Sequence, residues 1–156
     1  MSYYTSDIET PKYTVIKTYD DFEVRQYESM IVAQTTMPQD TYKKSASTGF
    51  RRIAGYIFGN NKQKQEIAMT APVFMEMGED TKMAFVMPSK YALTDLPAPN
   101  ASNVTLVKVE PKKYAVVRFS GFASDRRIAN YTEKLKQLLV ANKIETIGSY
   151  NFLGYN

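Results

Sequence analysis

The first regular pattern along the chain is alternation. From Tyr13 to Tyr19, and again from Phe22 to Tyr27, apolar and polar residues trade places, with Asp20-Asp21 between the runs. Successive side chains of an extended strand point to opposite faces, so these runs predict two strands, and the two turn-forming residues predict a hairpin. Met30 to Met37 (MIVAQTTM) predicts a third strand, ended by Pro38. The period then changes. Tyr42, Ala46, Gly49/Phe50, Ile53 and Ile57 recur at three- and four-residue spacing, which gives one apolar helix face. Asp40 is the predicted N-cap of a helix running to about Phe58. Gly49 and Gly55 each weaken such a helix by about 1 kcal/mol relative to Ala. A helix that keeps them is expected to pack closely against something there. Gly59-Asn60-Asn61 predicts its left-handed terminator.

Two further strands are expected, Ile67 to Met77 (IAMTAPVFMEM) and Lys82 to Met87 (KMAFVM), joined through Gly78-Glu79-Asp80. Pro72 inside the first implies an edge position or a bulge. Pro88 to Asn103 is rich in Pro, Ala, Ser and Asn and reads as a linker. The order then repeats. Val104 to Val109 and Tyr114 to Ser120 predict a hairpin around Pro111-Lys112-Lys113. Asp125 to Asn142 predicts a helix with Ile128, Tyr131, Leu135, Leu138 and Leu139 on one face, and Glu145 to Phe152 is strand-like. The expectation is an α+β fold: one domain of two pseudo-repeats, 13–88 and 104–156, behind a flexible tail, 1–12. Each unit lays a helix on antiparallel strands, and together they form a distorted open barrel or sheet with two main helices.

Composition narrows the chemistry. At 156 residues, 44% hydrophobic and 23% charged, the chain can close one core and is not disordered in character. A net charge of +4 is dispersed rather than gathered into a stripe, so no nucleic-acid partner is expected. The chain has no Cys and no His, which removes disulfides, thiolates, the commonest general base and the usual proximal haem ligand. No apolar stretch approaches the roughly 20 residues that span a bilayer, and the N-terminus has no signal-peptide pattern. A cytoplasmic location and no transmembrane segment are the expectations.

The segment Gly49 to Val73, GFRRIAGYIFGNNKQKQEIAMTAPV, adds specificity. With Phe22-Glu-Val-Arg-Gln-Tyr27, Phe85-Val-Met-Pro88, Leu96-Pro-Ala-Pro99, Val117-Arg-Phe-Ser-Gly121 and Gly154-Tyr-Asn156, it resembles the SOUL haem-binding family from Tyr13 onward. Members of that family usually continue past Tyr-Asn with a proline-containing strand and a basic tail, so the second half is expected to lack its last strand here. The resemblance implies two similar halves and binding of haem or another tetrapyrrole, not required for folding, in the cytosol. It also implies a planar hydrophobic small molecule as the partner.

For such a ligand the first helix could supply an apolar slot through Phe50, Ile53, Ala54 and Ile57, with Tyr56 as an aromatic wall. Arg51, Arg52, Lys62 and Lys64 could meet propionates. Without His or Cys, Tyr and Met remain as iron ligands, and Met69, Met75, Met77, Met83 and Met87 are the candidates. A mode without a protein histidine on iron, and with no metal site of the protein's own, fits the sequence better. No nucleophile–base pair is identifiable, so the expectation is not an enzyme. The alternatives are a gyrase-inhibitor-like domain that binds or senses another hydrophobic molecule, a hydrolase using one of Glu66, Glu76 or Glu79 with a Tyr, and an interaction module presenting Phe74, Met75 and Phe85. Glu23, Arg25 and Tyr27 read as cross-strand pairing on an exposed face.

Overall fold

The computed structural model describes residues 8–38 and 41–155. In chain order the elements are β1 Tyr13–Thr18, β2 Glu23–Tyr27, β3 Met30–Pro38, α1 Tyr42–Ile57, β4 Val73–Met77, β5 Asp80–Val86, β6 Thr105–Val109, β7 Lys112–Val116, α2 Asp125–Ala141 and β8 Tyr150–Gly154. The strands form two antiparallel sheets, β1-β2-β7 and β6-β3-β5-β4-β8, and neither closes into a barrel. The fold is α+β, with two main helices as the periodicities predict.

One bent ribbon joins the sheets. Glu23 lies opposite Val116, Tyr27 opposite Lys112, Met30 opposite Val109 and Gln34 opposite Thr105, so the register runs unbroken from β2-β7 into β3-β6. The predicted hairpin of the second half is therefore wrong in its pairing. β6 and β7 do not pair with each other, because both continue along the partner strands β3 and β2. Pro111 sits at the bend between them, where its missing N–H removes no ladder bond.

Other boundaries shift for similar reasons. The Ile67 to Met77 strand is regular only from Val73, after a cis Ala71–Pro72 bond. The Glu145 to Phe152 strand moves to Tyr150–Gly154 and pairs with β4. Asp40 lies outside the described residues. Thr41 caps α1, its side chain accepting from the Lys44 N–H, and Ser124 caps α2 by accepting from the Arg127 N–H. Ahead of β1, Glu9 bridges Thr70 and its carboxylate accepts from the Ser89 N–H, so this part of the predicted tail is held.

Alternation sorts the five-stranded sheet into two apolar faces. Ala33, Met37, Met75, Met83 and Phe85 pack beneath Ile53, Tyr56 and Ile57 of α1. Val32, Phe74 and Val86 form a separate cluster with Met30, Ala84, Val107, Val109 and Leu153. Phe74, Met75 and Phe85 are all buried, so they do not form the exposed surface an interaction module would need. Leu135 and Leu139 of α2 pack with Phe22, Val24 and Ala115 on the smaller sheet.

The supposed linker, 88–103, is packed rather than loose. Leu96 and Pro97 are buried, Asn61 bridges Pro99, and the Lys62 N–H donates to the Ala98 carbonyl. At its centre the Tyr56 hydroxyl donates to the Pro97 carbonyl at 2.8 Å. Asn61, 1% exposed, donates from one amide nitrogen to the Tyr56 and Gln65 carbonyls and accepts from the Gln65 N–H. Gly59, with φ of +117°, supplies the predicted reversal after the helix.

Burial, with the nearby Tyr91, pushes the Tyr56 hydroxyl up to about 12. The folded protein thus keeps a proton that the unfolded chain releases near pH 10, so the stability from this group is complete below pH 10 and is lost as pH rises toward 12. Urea midpoints between pH 9 and 12 should fall less steeply for Tyr56→Phe than for the unmodified chain. Parallel curves would remove Tyr56 from the alkaline transition.

The Glu23-Arg25-Tyr27 run is not an exposed pairing surface. Arg25 is 3% and Tyr27 1% exposed. The Arg25 Nε donates to Glu23 at 2.6 Å, its Nη1 donates to the Tyr27 hydroxyl at 3.0 Å, and the guanidinium lies 4.3 Å from the Tyr13 ring centroid. Burial opposes the Arg25 charge, but the bonds to Glu23 and Tyr27 outweigh it and raise its pKa.

Candidate functional site

A cleft of about 570 Å³ opens along α1 from Tyr42 to Ala54, where the helix overhangs the β4–β8 edge of the sheet. Tyr42, Ala46, Ser47, Phe50, Arg51 and Ala54 line it from the helix. Their spacing of four, one, three, one and three residues is a single stripe of a 3.6-residue helix. Val73, Met75 and Met83 form the strand side, and Phe152 and Gly154 of β8 close the edge. The Tyr42 and Phe152 rings meet edge to face at 5.4 Å, and Phe119 lies 6.0 Å from Phe152. Phe50 is 47% exposed, and its ring stands 5.8 Å from Phe85.

Among the described residues lining the cleft, Arg51 is the one that carries a charge. Its neighbour is committed elsewhere: Arg52 donates to the Thr35 hydroxyl and the Thr36 carbonyl, both at 3.2 Å. Burial raises the pKa of the Tyr42 hydroxyl, so that group stays a neutral donor and acceptor at physiological pH.

The residues expected from the sequence therefore separate. Phe50, Arg51 and Ala54 meet at the cleft. Ile53, Tyr56 and Ile57 are at most 2% exposed and belong to the core beneath the helix, since one helix stripe cannot face both the sheet interior and an open cleft. Lys62 and Lys64 are exposed in the loop after the C-terminal end of α1, away from the lining residues. Met69 is half-buried against the core, and Met75 and Met83 are the methionines at the cleft. The acidic residues do not converge: Glu76 pairs with Lys82 at 3.9 Å, and Glu66 and Glu79 are exposed. Among the described residues no group of three His, Cys, Asp or Glu side chains is placed to hold a metal ion.

Sequence reasoning missed Tyr42, Ala46, Ser47, Val73, Phe152 and Gly154. Tyr42 and Ala46 share the apolar helix face that the spacing marks, and both pack against the core as well as lining the cleft, which periodicity alone does not distinguish. Phe152 and Gly154 carried no signal, because their place beside the helix depends on β8 pairing with β4.

These features define a class: an α+β domain with a mostly apolar cleft, bearing the Arg51 guanidinium, between a helix and the sheet it covers. The family model described as SOUL heme-binding protein matches residues 8–156, and the chain belongs to that family. It is 29% identical over 114 residues to Heme-binding protein 2 of Mus musculus, an alignment covering 68% of this chain and 55% of that protein. It is 28% identical over 144 residues to Heme-binding protein 2 of Homo sapiens, covering 86% of this chain and 70% of that one. The chain thus spans about half the length of the mouse relative. Among the described residues no helix is long and apolar enough to cross a membrane.

Proposed function

We propose that this protein binds haem or a related tetrapyrrole in the cleft along α1 between Tyr42 and Ala54, and that it binds rather than transforms its ligand. The observation that carries the reading is the combination of size, lining and charge. A cleft of about 570 Å³ falls within the range of small-molecule sites, and its walls are mostly apolar with a single guanidinium. Phe50, Tyr42 and Phe152 offer aromatic surface to a flat ring system, and Arg51 offers a propionate partner.

The residues fit the porphyrin better than they fit the iron. With no His or Cys in the chain, axial ligation has only the Met75 and Met83 thioethers, the Tyr42 hydroxyl or a solvent molecule to draw on at this cleft. Apolar contact and one charge pair are then the main sources of affinity, so metal-free protoporphyrin should bind nearly as well as haemin. Absorbance and fluorescence titrations of purified protein should give micromolar affinity for both. A preference of a hundredfold or more for haemin would contradict a mode independent of iron ligation, and no binding of either would remove the tetrapyrrole reading.

Arg51 and Arg52 should respond differently. Arg51→Glu is expected to weaken protoporphyrin binding about tenfold, since it replaces a favourable charge pair with repulsion. Arg52→Glu should instead lower stability, by breaking its bonds to Thr35 and Thr36, with a smaller effect on affinity. Equal losses of affinity in both would place the propionates elsewhere.

A further inference from the structure

The floor of the cleft continues into a patch of sulfur. Three strands carry it in two rows on the face covered by α1. In the first row Thr35, Met83 and Met75 lie side by side across β3, β5 and β4; in the second row Met37, Thr81 and Met77 do the same. Met37, Met75 and Met83 are 3%, 2% and 2% exposed, and Met77 packs against the same cluster. Gly49 of α1 lies directly over Met37 and Met83. A Cβ on Gly49 would stand 2.8 Å from the Met83 sulfur and 3.1 Å from the Met37 sulfur, so both sulfurs lie within 3.1 Å of one point. Met75 faces Met83 in direct register, where opposed side chains start only about 5 Å apart.

We propose that Met37, Met75 and Met83 form a thioether site for a soft monovalent cation, Cu(I) or its analogue Ag(I). Thioether sulfur is a neutral, polarisable ligand that selects such ions and discriminates against hard divalent ones. A single positive charge is also the cheapest to bring into an apolar setting. Entry is available, because Met75 and Met83 line the cleft while Met37 stands behind them near Gly49. The glycine lets the helix backbone close over the sulfurs without a side chain between. Methionine also serves as a filler of irregular cores, and that role alone would leave the patch without affinity for the ion. The site does not depend on tetrapyrrole binding, so either reading can fail while the other stands.

The test is a Cu(I) titration of haem-free protein under anaerobic reducing conditions, in competition with a chromophoric Cu(I) chelator. One equivalent should be held by the unmodified chain. Retention should fall at least tenfold in Met37→Leu/Met83→Leu, a near volume-conserving change that limits loss of packing. Met30→Leu, on the opposite face of the sheet, should behave like the unmodified chain. No retention by the unmodified chain, or equal retention by the double variant, would overturn the assignment. If the double variant does not fold, X-ray absorption of the loaded unmodified protein decides the matter. Sulfur-only coordination supports the site, and nitrogen or oxygen ligands refute it.

Discussion

Replacing Asn61 with alanine is expected to lower the free energy of unfolding by roughly 2–4 kcal/mol, among the larger effects of a single polar substitution. The Asn61 side chain satisfies the Tyr56 carbonyl, the Gln65 carbonyl and the Gln65 N–H at 2.8–3.0 Å, and the residue is 1% exposed. Alanine would remove all three bonds at once; the Tyr56 carbonyl keeps the Gly59 N–H, while the part-buried Gln65 carbonyl and N–H lose the partner the side chain provides. The buried groups left unpaired, rather than the lost bonds themselves, set the size of the effect. Urea denaturation should show a lower midpoint with an unchanged slope. A loss below 1 kcal/mol would mean that water replaces the amide and that this junction is not a closed one.

The second large effect concerns the cleft. Ala46→Trp should weaken protoporphyrin binding by at least about tenfold, or 1.4 kcal/mol. Ala46 is half-buried between the cleft and the edge of the main core, so an indole there projects into the space proposed for the ring system. The helix interior accepts Trp at a cost of well under 1 kcal/mol in propensity. Because Ala46 also touches the core, a loss of up to about 1–3 kcal/mol in stability is expected beside the fall in affinity, and affinity is to be compared under conditions where both proteins are folded. Unchanged affinity with an intact fold would show that the ligand lies elsewhere.

These two residues mark what could be read from sequence. The motif around Tyr56 to Asn61 resembles a family signature, and the structure assigns it a mechanical task, tying the C-terminal end of α1 to the Leu96–Pro99 segment. Local patterns placed the helices and most strands, because period 3.6 and period 2 are written into short windows. Partners were less legible. Nothing near Val104 or Tyr114 says that β6 and β7 continue along β3 and β2, and the pairings cross between the two predicted units, with β7 beside β2 and β8 beside β4. The cleft suffered from the same gap. Phe50 and Arg51 could be proposed from their neighbours on the helix. Phe152 and Gly154 become part of the site only through long-range strand pairing. Conversely, Ile53 and Ile57 showed a good apolar period, but periodicity does not say whether an apolar face meets a ligand or a core.

The same limit applies to charge. Arg51 and Arg52 are adjacent and chemically alike, yet about 100° of helical rotation sends one to the cleft and the other to Thr35 and Thr36. Lys62 and Lys64 looked equally suited to a propionate, and the turn at Gly59 carries them past the helix end.

The most direct test of where the ligand sits is an amide chemical-shift map of the isotopically labelled protein, recorded as metal-free protoporphyrin is added. A diamagnetic ring produces strong, short-range shifts, so the pattern locates it without reference to iron. The account predicts that the largest shifts fall on Ala46, Ser47, Phe50, Arg51, Ala54, Phe152 and Gly154. Shifts centred instead on Lys62 to Gln65, with Ala46 to Ala54 unmoved, would contradict that placement.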